Sequence, residues 1–549
     1  MITFDSSPVS FWAGGIFLLI STALITVTTV LENQYFNKNW LARAAIFLQL
    51  LLLVYFRLPV IFFNEALNPD ENLFIVGAMT LAESPLYWES VDGCTSGPFN
   101  FYIITAFCET FEQPYDYISA RIIGILLMVG SFLCSFLTIR RLFSASVALM
   151  SIFPAITFMG LTTHWDFVNF SSEQLPIFLI SLMLYFFTRI YLSKASIYTW
   201  DTFILGLISG SVIFTKLQAI PIAFGLTIFT YWLIFQKNKD SFLKNAFYLT
   251  VGGCTTLIIL VFIGYNYNFL DKIWVFYIKN NLAYGKTSSS LISHVVQSLN
   301  DPINIFIKVL IVLSVVAVGY FVGYKRQLKV SILGGLMAIF ILCTIFSVYK
   351  TGFMFHHYLL FMITPSVFLF AFLLNEIEKS KKRIVSVGLT LIATLWLATK
   401  TSATPFTNYF ISSDKPQRPL SISKTGNQIL KYTRPDESLV VWGDAGRLYL
   451  ETKRIQGIRW SNSHWGMYSD SLQKTFQKEF IMELKEKPFP VFVDAHPTKN
   501  TFMTRDKIGY ETNRELKEYI DSNYQFIGEF DEQRVFIHKQ RLKEMNASK

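Results

Sequence analysis

The sequence predicts a polytopic α-helical membrane protein with a small α/β domain at its C-terminal end. Composition predicts the membrane part, because 52% of the 549 residues are hydrophobic and only 16% are charged. The mean hydropathy is +0.40, which is too apolar for an ordinary soluble enzyme of this length. Apolar runs recur from residue 11 to about residue 400, where the chain turns polar. We therefore expect membrane residues 1–400 and a separate domain at 401–549.

About twelve apolar runs approach the roughly 20 residues that cross a hydrocarbon layer. Their predicted limits are 11–31, 41–63, 117–139, 143–161, 174–192, 202–215, 217–235, 246–266, 303–323, 331–348, 357–375 and 384–400. The first run is predicted to remain as a span, since residues 1–10 lack the basic stretch and the clear cleavage site of a signal peptide.

Basic residues fall in alternate connections between these runs, which places those connections on the cytoplasmic side. They are Lys38 and Arg43, Arg140 and Arg141, Lys194, Lys237 and Lys239, Lys325, Arg326 and Lys329, and the 378–383 stretch EKSKKR. Both termini and residues 401–549 then lie outside. The net charge of +10 follows from this pattern, so we expect no nucleic-acid partner.

The connection at residues 64–116 carries the strongest outward signal. No Lys or Arg occurs between Arg57 and Arg121, whereas acidic residues are frequent: Glu65, Asp70, Glu71, Glu83, Glu89, Asp92, Glu109, Glu112 and Asp116. Residues 71–83 and 97–111 have helix-like apolar spacing, which predicts two amphipathic helices along the membrane face that could wall a cavity. Cys94 and Cys108 either pair there, if the compartment is oxidising, or remain free thiols.

The polar C-terminal part alternates helix-like and strand-like pieces, a pattern typical of a small α/β layer domain. The pieces are 423–433, 438–443, 454–460, 471–486, 489–495, 513–523, 524–530 and 534–539. Upstream, the long apolar run 200–235 is predicted to break around TKLQAIP, with Pro221 just beyond. Lys216 then lies at or below the outer membrane surface.

Asp70 and Glu71 are the first candidate site residues. They follow Pro69 at a predicted helix start, where the helix dipole keeps a carboxylate ionised, so Asp70 could accept a proton from an attacking hydroxyl. The alternative is a plain helix start with an acidic residue compensating the dipole. The residues alone leave both readings open.

Cationic side chains on the outward side form a second candidate set. Arg121, Lys216, His356 and His357 lie at predicted outer span ends, where fixed cations could hold a phosphate or diphosphate leaving group. The alternatives are Arg and Lys side chains that extend to the membrane surface and interfacial histidines. Two adjacent histidines without a third ligand are weak support for zinc.

The segment HWDFVNFSSEQLP adds further outward polar groups. His164, Asp166 and Glu173 either bind an acceptor and supply a second acidic group in a cavity, or belong to a solvated loop whose serines cap the next span.

These stretches together resemble a known family. NPDENLFIVGAMTLAE, GPFNFY, SSEQLPIFL, GLISGSVIFTKLQAIP and FHHYLLFMITP occur in the order seen in bacterial GT-C glycosyltransferases. The closest branch resembles protein O-mannosyltransferases and the lipid A aminoarabinose transferase, over roughly residues 41–375. The resemblance implies the GT-C fold, a bacterial inner-membrane location, a polyprenyl-phosphate sugar donor, and inverting transfer on the periplasmic side. It implies no obligatory metal and no cofactor.

The resemblance also assigns roles. Asp70 matches the acidic base and Glu71 its partner, Arg121 and Lys216 match basic positions near the donor phosphate, and His357 with Tyr358 matches an HY element. We add His356 to the donor group and place His164, Asp166, Glu173 and Gln218 in the acceptor cavity.

One departure from the family pattern concerns the donor. Where many relatives carry a Lys before Pro-Pro, this sequence has CTSGPF with Thr95 and Ser96. Either the other cations hold the phosphate without that Lys, or the donor differs. The acceptor stays open between lipid A, a protein and a surface polysaccharide, with membrane lipids as surroundings. Rival functions are a lipid or glycan transporter or flippase, which would need charges near the bilayer midplane, and a transferase of whole glycan chains.

Overall fold

The structure is a computed structural model that describes residues 8–32, 39–193, 199–237, 239–284, 290–301, 304–323, 332–353, 355–401, 420–463, 470–496 and 504–547. The chain divides into two compact units. The helical unit comprises the described residues within 1–63, 124–266 and 285–416, and the α/β unit comprises those within 64–123, 267–284 and 417–549.

Helices dominate the described residues. In chain order they are α1 (Pro8–Glu32), α2 (Asn39–Ile61), α3 (Pro69–Glu83), α4 (Phe99–Thr110), α5 (Tyr117–Leu142), α6 (Ala145–Leu161), α7 (Trp165–Val168), α8 (Gln174–Leu192), α9 (Thr199–Val212), α10 (Ile220–Lys237), α11 (Phe242–Asn266), α12 (Leu270–Lys272), α13 (Asn280–Tyr284), α14 (Leu291–Asn300), α15 (Ile305–Gly323), α16 (Ile332–Tyr349), α17 (Ile363–Lys379), α18 (Arg383–Ala398), α19 (Lys424–Tyr432), α20 (Arg447–Thr452), α21 (Asp470–Glu486), α22 (Arg505–Ile508), α23 (Arg514–Asn523) and α24 (Lys539–Ala547).

A helix occupies the place of each predicted span. Eight of the described helices are long and apolar enough to cross a membrane, and a ninth is added if the bent pair Leu291–Asn300 and Ile305–Gly319 counts as one span. Ala145–Leu161 and Arg383–Ala398 are apolar but shorter. The predicted positions are confirmed, and the predicted number of about twelve is roughly consistent with the helices of the described residues. Of the basic connections, Lys38, Lys194, Lys325, Arg326 and Lys329 lie outside the described residues.

Glycines bring α9 and α11 of the helical unit into close contact. A Cβ on Gly206 would come within 2.1 Å of the Leu249 carbonyl oxygen, and one on Gly210 within 2.2 Å of the Gly253 carbonyl oxygen. On the facing helix, a Cβ on Gly252 would come within 2.1 Å of the Phe203 carbonyl oxygen. This spacing of small residues is the one that lets membrane helices pack backbone to backbone.

The described residues of the α/β unit contain one four-stranded sheet. Its strands are β1 (Val440–Trp442), β2 (Val491–Asp494), β3 (Tyr524–Phe530) and β4 (Gln533–His538), in the order β1-β2-β4-β3. The β1–β2 pair is parallel, with Val441 opposite Val493, and the other two pairs are antiparallel. Most predicted strands and helices of the tail are confirmed, but residues 454–460 form only a single bridge between Leu439 and Gln456.

Residues 64–123 and 267–284 pack with the C-terminal residues in the α/β unit. Gln456 donates from its backbone N–H to Thr80 Oγ1 at 3.3 Å and from Nε2 to the Ser90 carbonyl at 3.0 Å. Phe276 contributes its ring to the same buried cluster as Trp442 and Phe492. The acidic connection therefore belongs structurally with the tail.

Helices α3 and α4 confirm the two predicted helices of the acidic connection, but α3 is not amphipathic. Helix α3 is buried at nearly every position from Glu71 to Leu81, and a helix apolar on all sides belongs in an interior rather than on a surface. Its neighbours are α4 and α20. Cys94 and Cys108 are both buried free thiols, so they do not pair.

Candidate functional site

The start of α3 is fixed by the sequence NPDE. Asn68 caps the helix, because its Oδ1 accepts a hydrogen bond from the Asp70 N–H at 2.9 Å, and Pro69 occupies the first helical turn. The Asp70 side chain is half-buried. The carboxylate therefore lies at the N-terminal end of α3, where the helix dipole is positive.

Glu71 and Arg121 form a buried bidentate ion pair in the α/β unit. Arg121 donates from Nε to Glu71 Oε1 at 2.8 Å and from Nη2 to Oε2 at 2.7 Å. The two side chains are 0% and 1% exposed. Glu71 Oε2 also accepts the Leu67 N–H at 3.0 Å, and Arg121 Nη2 donates to the Glu65 carbonyl at 2.7 Å. The pair therefore ties the segment that precedes α3 to α5.

Lys216 lies in the helical unit at the break between α9 and α10. Its ammonium forms an ion pair with Glu173 and donates to Ser172 Oγ at 2.8 Å. It also lies 4.7 Å from the centre of the Tyr358 ring, a cation–π distance. Burial alone would raise the pKa of Glu173, but Lys216 and His357 outweigh it and hold that pKa below its usual value.

Two histidines continue the contacts of Glu173. His357 Nε2 lies 3.9 Å from Glu173 Oε1, and His357 Nδ1 lies 3.7 Å from Asp166 Oδ1. His356 Nδ1 lies 3.7 Å from Asp166 Oδ2, and His356 Nε2 lies 2.8 Å from Asp301 Oδ2. Asp301, His356, Asp166, His357, Glu173 and Lys216 thus form an unbroken series, which we call the acid–base chain.

The remaining predicted site residues lie beside this chain or away from it. The His164 ring is 5.0 Å from the His356 ring, and burial lowers the pKa of His164. Gln218 instead donates from Nε2 to the Ser347 carbonyl at 2.9 Å, on α16. Within the part of the chain that the structure describes, no group of three or more His, Cys, Asp or Glu is arranged to hold a metal ion.

In the acid–base chain, the ammonium that could bind an anion is already paired with a carboxylate. Lys216 Nζ contacts Glu173, and each imidazole has a carboxylate oxygen within 4 Å. A phosphate that entered would compete with Glu173 for Lys216, since both offer oxygens to the same ammonium. Asp70, Glu71 and Arg121 belong to the α/β unit, and the acid–base chain belongs to the helical unit.

Comparisons with known proteins identify the fold. A family model described as dolichyl-phosphate-mannose-protein mannosyltransferase matches residues 95–265. A search of curated proteins finds no match. Among solved structures, ArnT from Cupriavidus metallidurans in the apo state is similar with a TM-score of 0.54 and 13% identity, over 88% of this chain and 97% of that one. This chain has the GT-C glycosyltransferase fold.

Two further structures belong to the same comparison. ArnT from Cupriavidus metallidurans bound to undecaprenyl phosphate is similar with a TM-score of 0.52 and 12% identity, over 88% of this chain and 97% of that one. The apo Archaeoglobus fulgidus oligosaccharyltransferase gives a TM-score of 0.45 and 10% identity, over 96% of this chain and 74% of that one. The resemblance to GT-C glycosyltransferases that the sequence motifs indicate is confirmed by the family model and by the ArnT fold.

In this GT-C chain, sequence reasoning missed two members of the site. Asp301 Oδ2 forms a hydrogen bond with His356 Nε2. Ser172 Oγ accepts a hydrogen bond from Lys216 Nζ. Ser172 lies beside Glu173 in a predicted loop, where the sequence indicates only a capping role for it. Asp301 precedes Pro302 before an apolar run, which is the only sequence signal that it offered.

Proposed function

We propose that the protein is an inverting glycosyltransferase that moves a sugar from a polyprenyl-phosphate donor to an acceptor hydroxyl at the periplasmic face of a bacterial inner membrane. The observation that carries this proposal is the buried Lys216–Glu173 ion pair in a helical unit of GT-C fold. A charge buried beside membrane helices is costly and points to function.

Lys216, with His357 and Tyr358 beside it, holds the donor phosphate in this proposal. The leaving phosphate gains negative charge as the glycosidic bond breaks, and a fixed cation stabilises that charge in the transition state. The structure of ArnT bound to undecaprenyl phosphate supports this role. Undecaprenyl phosphate is a polyprenyl phosphate, the class of lipid that the proposed donor contains. Lys216 supplies the cation that the CTSGPF stretch lacks, where Thr95 and Ser96 offer only hydrogen bonds.

Asp70 acts as the general base. Its ionised carboxylate takes the proton of the acceptor hydroxyl, the hydroxyl oxygen attacks the anomeric carbon, and the bond from that carbon to the phosphate oxygen breaks. The configuration inverts, and the transition state resembles an oxocarbenium ion, as in other glycosyl transfers. Glu71 and Arg121 are positioning residues, because their bidentate pair fixes the chain that leads into Asp70.

The test compares lipids that co-purify with the wild type, Asp70→Asn and Lys216→Ala, measured by lipid-resolved native mass spectrometry. A polyprenyl-phosphate sugar bound to the wild type and to Asp70→Asn but depleted from Lys216→Ala supports both roles. Bulk phospholipid alone in all three proteins contradicts the donor assignment and favours the transporter reading.

A further inference from the structure

Side chains inside the acid–base chain use a different atom for each of their two neighbours. His356 approaches Asp301 with Nε2, at 2.8 Å, and Asp166 with Nδ1, at 3.7 Å. His357 approaches Asp166 with Nδ1, at 3.7 Å, and Glu173 with Nε2, at 3.9 Å. Asp166 turns Oδ2 to one imidazole and Oδ1 to the other. A proton relay needs this arrangement, because an imidazole accepts a proton on one nitrogen and releases one from the other.

The exposure of the side chains rises along the acid–base chain. The Glu173 side chain is fully buried, and those of His357 and Asp166 are each 9% exposed. The His356 side chain is 24% exposed and that of Asp301 is 31% exposed. The predicted orientation places Asp301, just before α15, on the outward side. The acid–base chain therefore leads from a buried carboxylate to one that water reaches.

Glu173 contacts two titratable side chains among the described residues. Lys216, at the break between α9 and α10, forms the ion pair, and His357 lies in the 3₁₀ turn His356–Met362. Burial raises the pKa of Glu173, but Lys216 and His357 outweigh it. When a phosphate takes over the Lys216 ammonium, the burial remains while the closest counterion is lost. The Glu173 carboxylate then favours its protonated form.

We propose that the acid–base chain carries a proton from the outward surface to Glu173 when a donor phosphate replaces Glu173 at Lys216. The inference rests on the proposed function, since it concerns the response of the same site to its donor. The proton enters at Asp301, crosses the two imidazoles and Asp166 by successive transfers, and ends on Glu173 Oε1. Each proton passed on is replaced from the outer side, so the other groups return to their original protonation states.

Two further features of the acid–base chain bear on these transfers. Its contacts of 3.7 and 3.9 Å are longer than hydrogen bonds, so each shortens by about 1 Å when a proton crosses. At the outer end, the His164 ring lies 5.0 Å from the His356 ring, and a charge on His164 would oppose a proton on His356. Burial lowers the pKa of His164, which keeps that ring neutral and the entrance open to a proton.

Donor binding is then linked to proton uptake. The free protein holds Glu173 ionised and the complex holds it protonated, so each bound phosphate takes up one proton. Between the low pKa of Glu173 in the free protein and its raised pKa in the complex, the complex binds more protons. The affinity for the phosphate therefore falls as the pH rises through that window, by about tenfold per pH unit.

The first experiment measures this proton on the unmodified protein in nanodiscs. Undecaprenyl methyl phosphate is the probe, because a phosphodiester lacks the second ionisation that a phosphate monoester has at about pH 6. Titration calorimetry at about pH 5.5, in buffers of different ionisation enthalpy, should give about one proton taken up per phosphate bound. Binding without proton uptake overturns the inference while the proposed function stands. Failure of the wild type to bind the probe overturns both.

A second experiment assigns the proton to Glu173. Glu173→Gln removes the proton acceptor at nearly constant size, so its affinity should change less than about twofold where the wild type weakens about tenfold per pH unit. Glu173→Asp keeps a carboxylate and should retain the wild-type dependence, which separates loss of the proton site from a folding defect. A wild-type pH dependence in Glu173→Gln would overturn the assignment.

A third experiment tests the route. Protons are released by light in the phosphate-bound protein, and the infrared band of protonated Glu173, identified by its loss in Glu173→Gln, is followed in time. We expect Asp301→Asn to slow this protonation about tenfold or more. Asp240→Asn is the matched control, because Asp240 is an exposed aspartate of the helical unit between α10 and α11, and should keep the wild-type rate. Equal rates for the two variants would overturn the route.

Discussion

Lys216 and Glu173 form an ion pair inside the helical unit, with the Lys216 side chain 7% exposed and the Glu173 side chain fully buried. Taking two charges out of water costs several kcal/mol per ion, and apolar residues of similar size often serve stability as well or better. The pair is therefore hard to explain by stability alone. In the proposed function, the Lys216 ammonium exchanges Glu173 for the donor phosphate.

Removing either partner of this pair leaves one buried charge without its counterion. We expect Lys216→Met and Glu173→Gln each to lower the free energy of unfolding by about 3–5 kcal/mol. The double variant should lose much less than the sum, because it leaves neither charge behind. Thermal unfolding in detergent, arranged as a double-mutant cycle, measures the coupling. Additive losses would mean that the two charges do not stabilise each other.

Asp70 and Glu71 are adjacent in sequence, but replacing each carboxylate by its amide should change the stability by different amounts. Glu71→Gln breaks a fully buried bidentate pair with Arg121 and should destabilise the protein by about 3–5 kcal/mol. Asp70→Asn removes a half-buried charge from a helix start and should cost about 0.3–1 kcal/mol. Melting temperatures of the two variants in one detergent check this. A larger loss for Asp70→Asn would assign Asp70 a structural role.

The burial of Asp92 should make the stability of the protein depend on pH. It is 2% exposed, its Oδ1 accepts the Cys94 N–H at 2.8 Å, and burial, partly offset by Arg459, raises its pKa from 3.8 to about 7. The folded protein therefore binds a proton that the unfolded chain releases between about pH 4 and pH 7. The free energy of unfolding falls as the pH rises through that window and stays lower above it.

Asp92→Asn removes this titration and keeps the acceptor for the Cys94 N–H. We expect the variant to melt several degrees above the wild type at pH 8 and close to it at pH 4, measured by scanning fluorimetry of the full chain. Parallel curves for the two proteins between pH 4 and pH 8 would show that Asp92 is not the titrating group.

The close contact between α9 and α11 predicts that replacing a glycine by alanine costs stability there but not elsewhere. Gly206→Ala places a methyl group about 2.1 Å from a backbone oxygen, so the helices must separate, at a cost of about 1–3 kcal/mol. Gly388 in α18 has nothing within 4 Å of its added Cβ, so Gly388→Ala should be neutral or stabilise by up to about 1 kcal/mol. The melting temperatures of the two variants are measured in the same detergent. Equal shifts from the wild type would contradict the close packing of α9 and α11.

Much of the fold follows from local sequence patterns. Apolar runs located a helix at the place of each predicted span, and alternation in the tail located α19, α21, α23 and the four strands of the described residues. The burial of α3 could not be predicted, because its sequence reads as amphipathic until α4 and α20 cover its remaining face. Residues 454–460 have a strand-like composition, but they pair through only one bridge.

The sequence singles out the candidate residues one by one, but it does not indicate which of them contact each other. Outward position selected Lys216, Glu173, His356, His357 and Asp166, and the structure joins them in one series. The partner of Arg121 could not be foreseen, since Glu71 lies 50 positions earlier in the chain. Asp301 was missed for the same reason, because its contact with His356 depends on tertiary packing rather than on sequence spacing.

The central claim is that Asp70 drives sugar transfer from a polyprenyl-phosphate donor, and release of free polyprenyl phosphate tests it most directly. Purified protein is incubated with lipid-linked sugars and a cell-envelope acceptor fraction, and the lipid products are followed by mass spectrometry, with Gly388→Ala as the control. The account predicts release by the wild type and the control, and a loss of at least about a hundredfold for Asp70→Asn. Release by Asp70→Asn at the wild-type rate would contradict it.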